Sequence, residues 1–168
     1  MDAISTFLGR ISNYNLLNNL IPGAILCVVV KYLVDYDFIV DNILEQVIIF
    51  YFAGVINGRV GSIVVEWFLK KACIVKFKNH DTYITAEEKD QKISSLSEIN
   101  NMYRSLISVS LIALLLKLYK TVFENNCEFG PVTDWLLLGA FLILFILSYR
   151  KQTRYIVGRI DHVVPQNK

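Results

Sequence analysis

The sequence predicts an all-α, polytopic membrane protein: four transmembrane helices, both termini on the cytoplasmic side, and a small cytoplasmic helical extension. Of its 168 residues 54% are hydrophobic and only 19% charged, with a mean hydropathy of +0.44, against about 25% charge in ordinary soluble domains. One domain is expected at this length, and a soluble one this apolar would expose large greasy patches. Apolar stretches also recur at the length a bilayer demands, about 20 residues for a hydrocarbon core of ~30 Å. Finally, the basic residues sort to one side of those stretches.

Residues 1–13 come first. "MDAISTFLGRIS" places Ile4, Phe7, Leu8 and Ile11 on one helical stripe, which predicts an interfacial amphipathic helix lying on the inner surface. An irregular N-terminus is the alternative. The stretch has neither the apolar core nor the cleavage site of a signal peptide, so an internal segment is expected to direct insertion. The first span is predicted at 16–34, with Pro22 near its start, and the second at 43–69, interrupted by Asn57, Arg59 and Glu66. Residues 70–101 form a cytoplasmic loop and helix extension. Within it "KKACIVKFKNH" reads as extended chain or one short strand, and "TAEE" as a capping box from Thr85 to Glu88 that starts a helix. No Gly or Pro interrupts the chain from there to Phe123, so one helix of ~35 residues, ~52 Å, is expected to carry the third span at 102–118 and project beyond it. The fourth span, 132–149, contains "WLLLGAFLILFILSY" with no charge between Trp135 and Arg150 and is the clearest. The tail, 150–168, carries Ile156, Val157 and Ile160, a patch suited to pack on Ile93 and Leu96 of the extension.

Lysine and arginine counts orient the spans. The 1–2 and 3–4 connections with their flanks hold three of the seventeen basic residues, Lys31, Lys117 and Lys120, against seven of the fifteen acids. The other side holds the remaining bases. Trp135, Tyr32 and Tyr119 fall at the outer boundary and Trp67, Tyr103 and Tyr149 at the inner one, where amphipathic rings belong. The chain is therefore expected to be a multi-pass membrane protein with both termini cytoplasmic.

An arginine in the second span requires an account. Measured from Glu45, Arg59 lies about 21 Å along the helix and Glu66 about 31 Å, so Glu66 is interfacial and the Arg59 backbone lies within the core. One reading has Arg59 snorkelling to the headgroups. The other uses spacing: Glu45, Arg59 and Glu66 are multiples of seven apart, near one helix face, though Phe52 keeps the outer half of that stripe apolar. Asn101, Arg104 and Ser108 repeat a helical spacing on the third span. Intramembrane polar groups face the bundle interior, so Arg59, Glu66, Asn101 and Arg104 are expected to form a polar cluster at the cytoplasmic end, completed by a further acid, an anion or a partner subunit.

Gly54 and Gly58, extended by Ser62, make a small-residue stripe that lets helices approach closely, either within the chain or between copies. Gly139–Ala140 offers a weaker contact. Lys70, Lys71, Lys76 and Lys78 satisfy the positive-inside rule and are suited to anionic lipid headgroups or an acidic partner. Direct nucleic-acid binding is not expected, since no recognition module or aromatic-interleaved platform is visible. There is no Ser/His/Asp or Cys/His pairing, phosphate loop, GxGxxG or HExxH. His80 and His162 have no second ligand at metal spacing, and Cys27, Cys73 and Cys127 form no zinc or disulfide pattern. No enzyme activity, metal or cofactor is expected.

The stretches "NLLNNLIPG", "NGRVGSIVVEWFLKK" and "EINNMYRS" resemble the membrane subunit of the Kiwa defence system, one of the small four-helix membrane proteins of bacterial anti-phage operons, and the likeness extends over most of the chain. The resemblance implies an oligomeric inner-membrane protein that senses membrane perturbation and works with a cytoplasmic partner. Two functions are then open: a non-enzymatic homo-oligomeric sensor or scaffold, or an oligomeric channel or pore-forming effector lined by the second span with Arg59 toward the lumen. A transporter ranks behind both, for want of an inverted repeat or paired broken helices.

Overall fold

The computed structural model describes residues 16–123 and 132–165, and every regular element among them is helical. The segment 1–13 lies outside the described residues. Helix α1 (Ile21–Val34) is entered through a π-helical turn, Leu16–Leu20. Pro22 sits in its first turn, where no intrahelical hydrogen bond is lost. The helix ends at Asp35, whose left-handed backbone (φ 57°) turns its N–H onto the Lys31 carbonyl at 3.1 Å. Helix α2 (Ile43–Val60) starts at Asn42, whose Oδ1 accepts the Leu44 N–H at 2.9 Å, an N-cap.

A second π-turn, Gly61–Val65, joins α2 to α3 (Glu66–Lys71), making one rod over Ile43–Lys71. That rod closes with the Ile74 N–H on the Leu69 carbonyl and the Cys73 N–H on Lys70, both at 3.0 Å. This is a Schellman pattern with Cys73 (φ 55°) where glycine is usual. Residues 72–79 follow with neither helix nor strand.

Helices α4 (His80–Lys89), α5 (Lys92–Phe123) and α6 (Val132–Val163) complete the chain. Here the expected single helix from Thr85 is corrected. Thr85 lies inside α4 and its hydroxyl donates back to the Asp81 carbonyl at 2.9 Å. The helix breaks instead at Asp90, extended at φ −145° and ψ 96°. Its carboxylate accepts the Lys92 N–H at 3.1 Å and pairs with Arg159 of α6. A short carboxylate that captures a backbone N–H offers the chain an alternative to continuing the helix. The hydrogen bond from Arg159 also holds the Asp90 carboxyl below the usual carboxylate range.

Helix α5 is the central rod, touching α1, α2, α4 and α6. Ile43–Lys71, Lys92–Val122 and Val132–Val163 are each long and apolar enough to cross a membrane; Asn18–Val34 is apolar but shorter. The burial pattern differs from that of a water-soluble bundle. Asn57, Asn100, Ser105, Ser108 and Ser110 are buried, while Phe52, Ile56, Ile63, Leu136, Phe141 and Leu144 are at least half exposed. Small and polar side chains between helices with apolar ones outside is the arrangement expected of helices in lipid.

Gly54 brings α2 against α1: a methyl group there would lie 1.8 Å from the Asn19 carbonyl oxygen, and one at Gly23 would lie 1.8 Å from that of Phe50. At Gly58 the nearest atom would be the Ser105 hydroxyl at 3.8 Å, and at Gly139 nothing lies within 4 Å. At the far end of the rods α4 packs across α5 and α6, burying Ala86, Ile93, Ile156 and Ile160 with Leu96 against them. Tyr83 donates to Ser97 at 2.9 Å and Lys78 pairs with Asp161 at 2.7 Å, tying the same layer.

Candidate functional site

The π-turn sets up the site. Its Glu66 N–H reaches back five residues to the Gly61 carbonyl. One extra residue in a turn sets everything after it back by roughly 100°. Glu66 is thereby turned onto α5, where one carboxylate oxygen receives Arg104 at 2.6 Å and the other Lys70 at 2.7 Å. Gly61 makes the approach possible, since a methyl there would lie 3.3 Å from the Arg104 carbonyl oxygen. Around the pair sit Val65, Leu69, Ile107 and the fully buried Tyr149. Nearby, the Asn57 amide donates to the Ser105 carbonyl at 2.9 Å and the Asn100 amide to the Thr153 hydroxyl at 3.2 Å. The junction between apolar rods and polar layer is thus held by polar contacts among α2, α3, α5 and α6.

Two cavities flank Arg104 and Asn101, which line both. The larger, about 580 Å³, opens on the layer side and includes Glu66, Lys70, Lys78, Tyr83 and Thr153 in its wall. The smaller, about 330 Å³, lies between α2, α5 and the turn before α1, with Gly58, Arg59, Ser62 and Ser105 in its wall. The structure therefore brings Glu66 and Arg104 into contact and sets Asn101 beside Arg104. Arg59 stands apart from the ion pair. It is exposed, and among the described residues it has no ion-pair or hydrogen-bond partner. The seven-residue spacing that would align Arg59 with Glu66 is broken by the π-turn between them.

The basic residues of the connection are dispersed. Lys70 holds Glu66 and lies 4.7 Å from the Phe77 ring, Lys71 lies over Trp67 at 4.8 Å, Lys78 holds Asp161, and Lys76 is exposed. Among the described residues no group of three or more His, Cys, Asp or Glu side chains is placed to hold a metal.

No protein-family model, curated protein or solved structure matches the chain. Sequence reasoning missed Gly23, Gly61 and the Asp90–Arg159 pair, and it set Tyr149 at the membrane boundary, whereas the ring is buried in the packed core. The dipeptide Pro22–Gly23 was the available signal for the first. The others depend on which helices become neighbours.

Proposed function

We propose that the protein is a non-enzymatic, homo-oligomeric inner-membrane sensor or scaffold that couples a membrane event to a cytoplasmic protein partner, in the setting of bacterial anti-phage defence that the resemblance implies. Its four apolar helices span the bilayer with both termini inside. Asn18–Val34, about 26 Å long, serves as the first span. Two features support this orientation. Each lysine assigned to the outer side is neutralised by an acid there: Lys31 by Asp37, Lys117 by Asp134 and Lys120 by Asp35. The excess of bases remains on the layer side.

The observation that carries the coupling is the continuity of α5 and α6. Each runs for 32 residues, about 48 Å, without a break. Both pass from the apolar half into the layer closed by Ile93, Ile156 and Ile160. A tilt imposed on either rod by the bilayer is therefore delivered to a surface that faces the cytoplasm. Cross-linking of the full chain in intact cells is expected to capture a soluble protein, and Ile160→Asp, which opens the layer, to abolish capture while membrane insertion persists. Capture unaffected by Ile160→Asp would overturn the coupling.

A second reading, an oligomeric channel lined by α2, is favoured by Arg59 standing exposed among Phe52, Ile56 and Ile63. Ion flux through liposomes holding the pure protein, lost in Arg59→Leu, would decide for it.

A further inference from the structure

The two cavities beside Arg104 differ in one respect that bears on ligands. In the larger, Glu66 is present, Lys70 and Arg104 are both bound to it, and Lys78 is bound to Asp161. Its cations are satisfied by the protein itself. In the smaller, no acid appears among the described lining residues. Arg59 has no partner among the described residues, and the Nε of Arg104 is buried without a hydrogen-bond acceptor. Asn101, Ser62 and Ser105 add neutral donors to the same wall. The Arg104 Nη1 is held by Glu66, so what this wall leaves open is a cation without a partner, Arg59, beside apolar surroundings and a buried donor without an acceptor, and both are costly. An anion with several oxygens removes both penalties at once, and guanidinium forks match phosphate oxygens in pairs.

The surroundings specify the kind of phosphate. Phe52, Ile56 and Arg59 follow one another at helical spacing, the two apolar members are 61% and 63% exposed, and Ile63 in the π-turn beyond them is 71% exposed. The cation thus sits within an open apolar stripe long enough to lie beside an acyl chain. Along the rod, the Arg59 backbone lies about 10 Å from Glu66 toward the apolar half, inside the inner edge of the hydrocarbon and within reach of the headgroups only through its long side chain. With no carboxylate in the described wall, an ethanolamine or choline headgroup would have no charged partner for its ammonium. Gly58 keeps the space open, its missing side chain leaving the Ser105 hydroxyl 3.8 Å from where a Cβ would be.

We infer that Arg59 and Arg104, with Gly58 between α2 and α5, form a site for the phosphate of one acidic phospholipid of the inner leaflet, its acyl chain lying along Phe52, Ile56 and Ile63. This rests on the membrane placement proposed above, and the two fail separately. A chain that stays monodisperse in plain buffer without amphiphile overturns the placement; the experiment below concerns only the site.

The full-length protein, extracted in mild detergent, is mixed with equal amounts of phosphatidylglycerol and phosphatidylcholine, and retained lipid is counted by native mass spectrometry. The expected result is preferential retention of one phosphatidylglycerol per chain. Arg59→Gln should lower that retention about tenfold, the scale of losing a charge-assisted hydrogen bond. Gly58→Leu, which adds no charge and fills the space, should lower it as far. Lys92→Gln, an exposed cation at the start of α5, should leave it unchanged. Equal retention of the two lipids, or phosphatidylglycerol retained by both Arg59→Gln and Gly58→Leu, overturns the proposal. Displacement of the lipid by millimolar inorganic phosphate overturns the lipid in favour of a free anion.

Discussion

Glu66 serves two cations in a setting that is neither water nor dry interior: its side chain is 21% exposed and that of Arg104 18%. Exposed ion pairs contribute little, because solvent screens them and two long side chains must be ordered. Buried ones are costly to break, because the remaining charge has lost its solvent as well as its partner. The Glu66–Arg104 pair lies between, and Lys70 alongside makes the loss of the acid worse than the loss of either base. Glu66→Gln is expected to destabilise the detergent-solubilised protein by about 2 kcal/mol, and Glu66→Gln with Arg104→Gln by clearly less than the sum of the two single changes. Thermal unfolding of the four species measures this, and strict additivity would mean the pair is not coupled. Residue identities made this site partly legible: Arg59, Glu66, Asn101 and Arg104 stand out in an apolar sequence. What spacing could not deliver was their pairing, because Gly61–Val65 adopts a π-turn and the helical count is reset between Arg59 and Glu66.

Among the elements, the crossing of α1 and α2 is the tightest described. A methyl at Gly54 would enter the Asn19 carbonyl, and one at Gly23 would enter both the Phe50 carbonyl oxygen, at 1.8 Å, and the Gly54 nitrogen, at 2.6 Å. Backbone atoms cannot turn aside as a side chain does, so the helices must separate. Gly23→Ala and Gly54→Ala are each expected to cost about 3 kcal/mol or more, at the upper end of core overpacking. Gly58→Ala should lie within about 1 kcal/mol of the parent, since its Cβ meets only ordinary contact and alanine favours helix. Unfolding in detergent by a graded denaturing surfactant separates these outcomes, and equal effects at 54 and 58 would refute the crossing. The stripe Gly54–Gly58–Ser62 was visible in the sequence as a unit. The fold divides it, giving Gly54 to the turn that enters α1, and Gly58 and the exposed Ser62 to the cavity wall shared with α5. Spacing identifies a surface suited to close approach; only the packing of the other helices decides who approaches. The three helices long and apolar enough to cross a membrane were legible for a different reason: a spanning helix needs a long apolar run, and long runs survive local uncertainty. The break at Asp90 was not, because the residue that stabilises it, Arg159, is 69 positions away.

For the molecule as a whole, the decisive quantity is the sign of its orientation, and one native side chain reports it. Cys73 is exposed at the Schellman end of the α3 rod, two residues after Lys71, and the positive-inside rule predicts that Lys70 and Lys71 stay in the cytoplasm. Cys27 is buried in α1. A chain with Cys27→Ala and Cys127→Ser therefore carries one accessible thiol whose side of the membrane is read directly. A charged, membrane-impermeant maleimide added to sealed cells should leave it unmodified, and the same reagent added to inverted vesicles should modify it within minutes. Modification in sealed cells would place α4 and the layer it closes outside. Lys31, Lys117 and Lys120, assigned above to the outer side, would then sit with their acids in the cytoplasm, and the base-rich end would have crossed the bilayer against the membrane potential, which costs about 2.3 kcal/mol per charge for each 100 mV. That energy, multiplied over several unpaired bases, is larger than any single contact described in the fold, so orientation follows from charge before packing has a part in it.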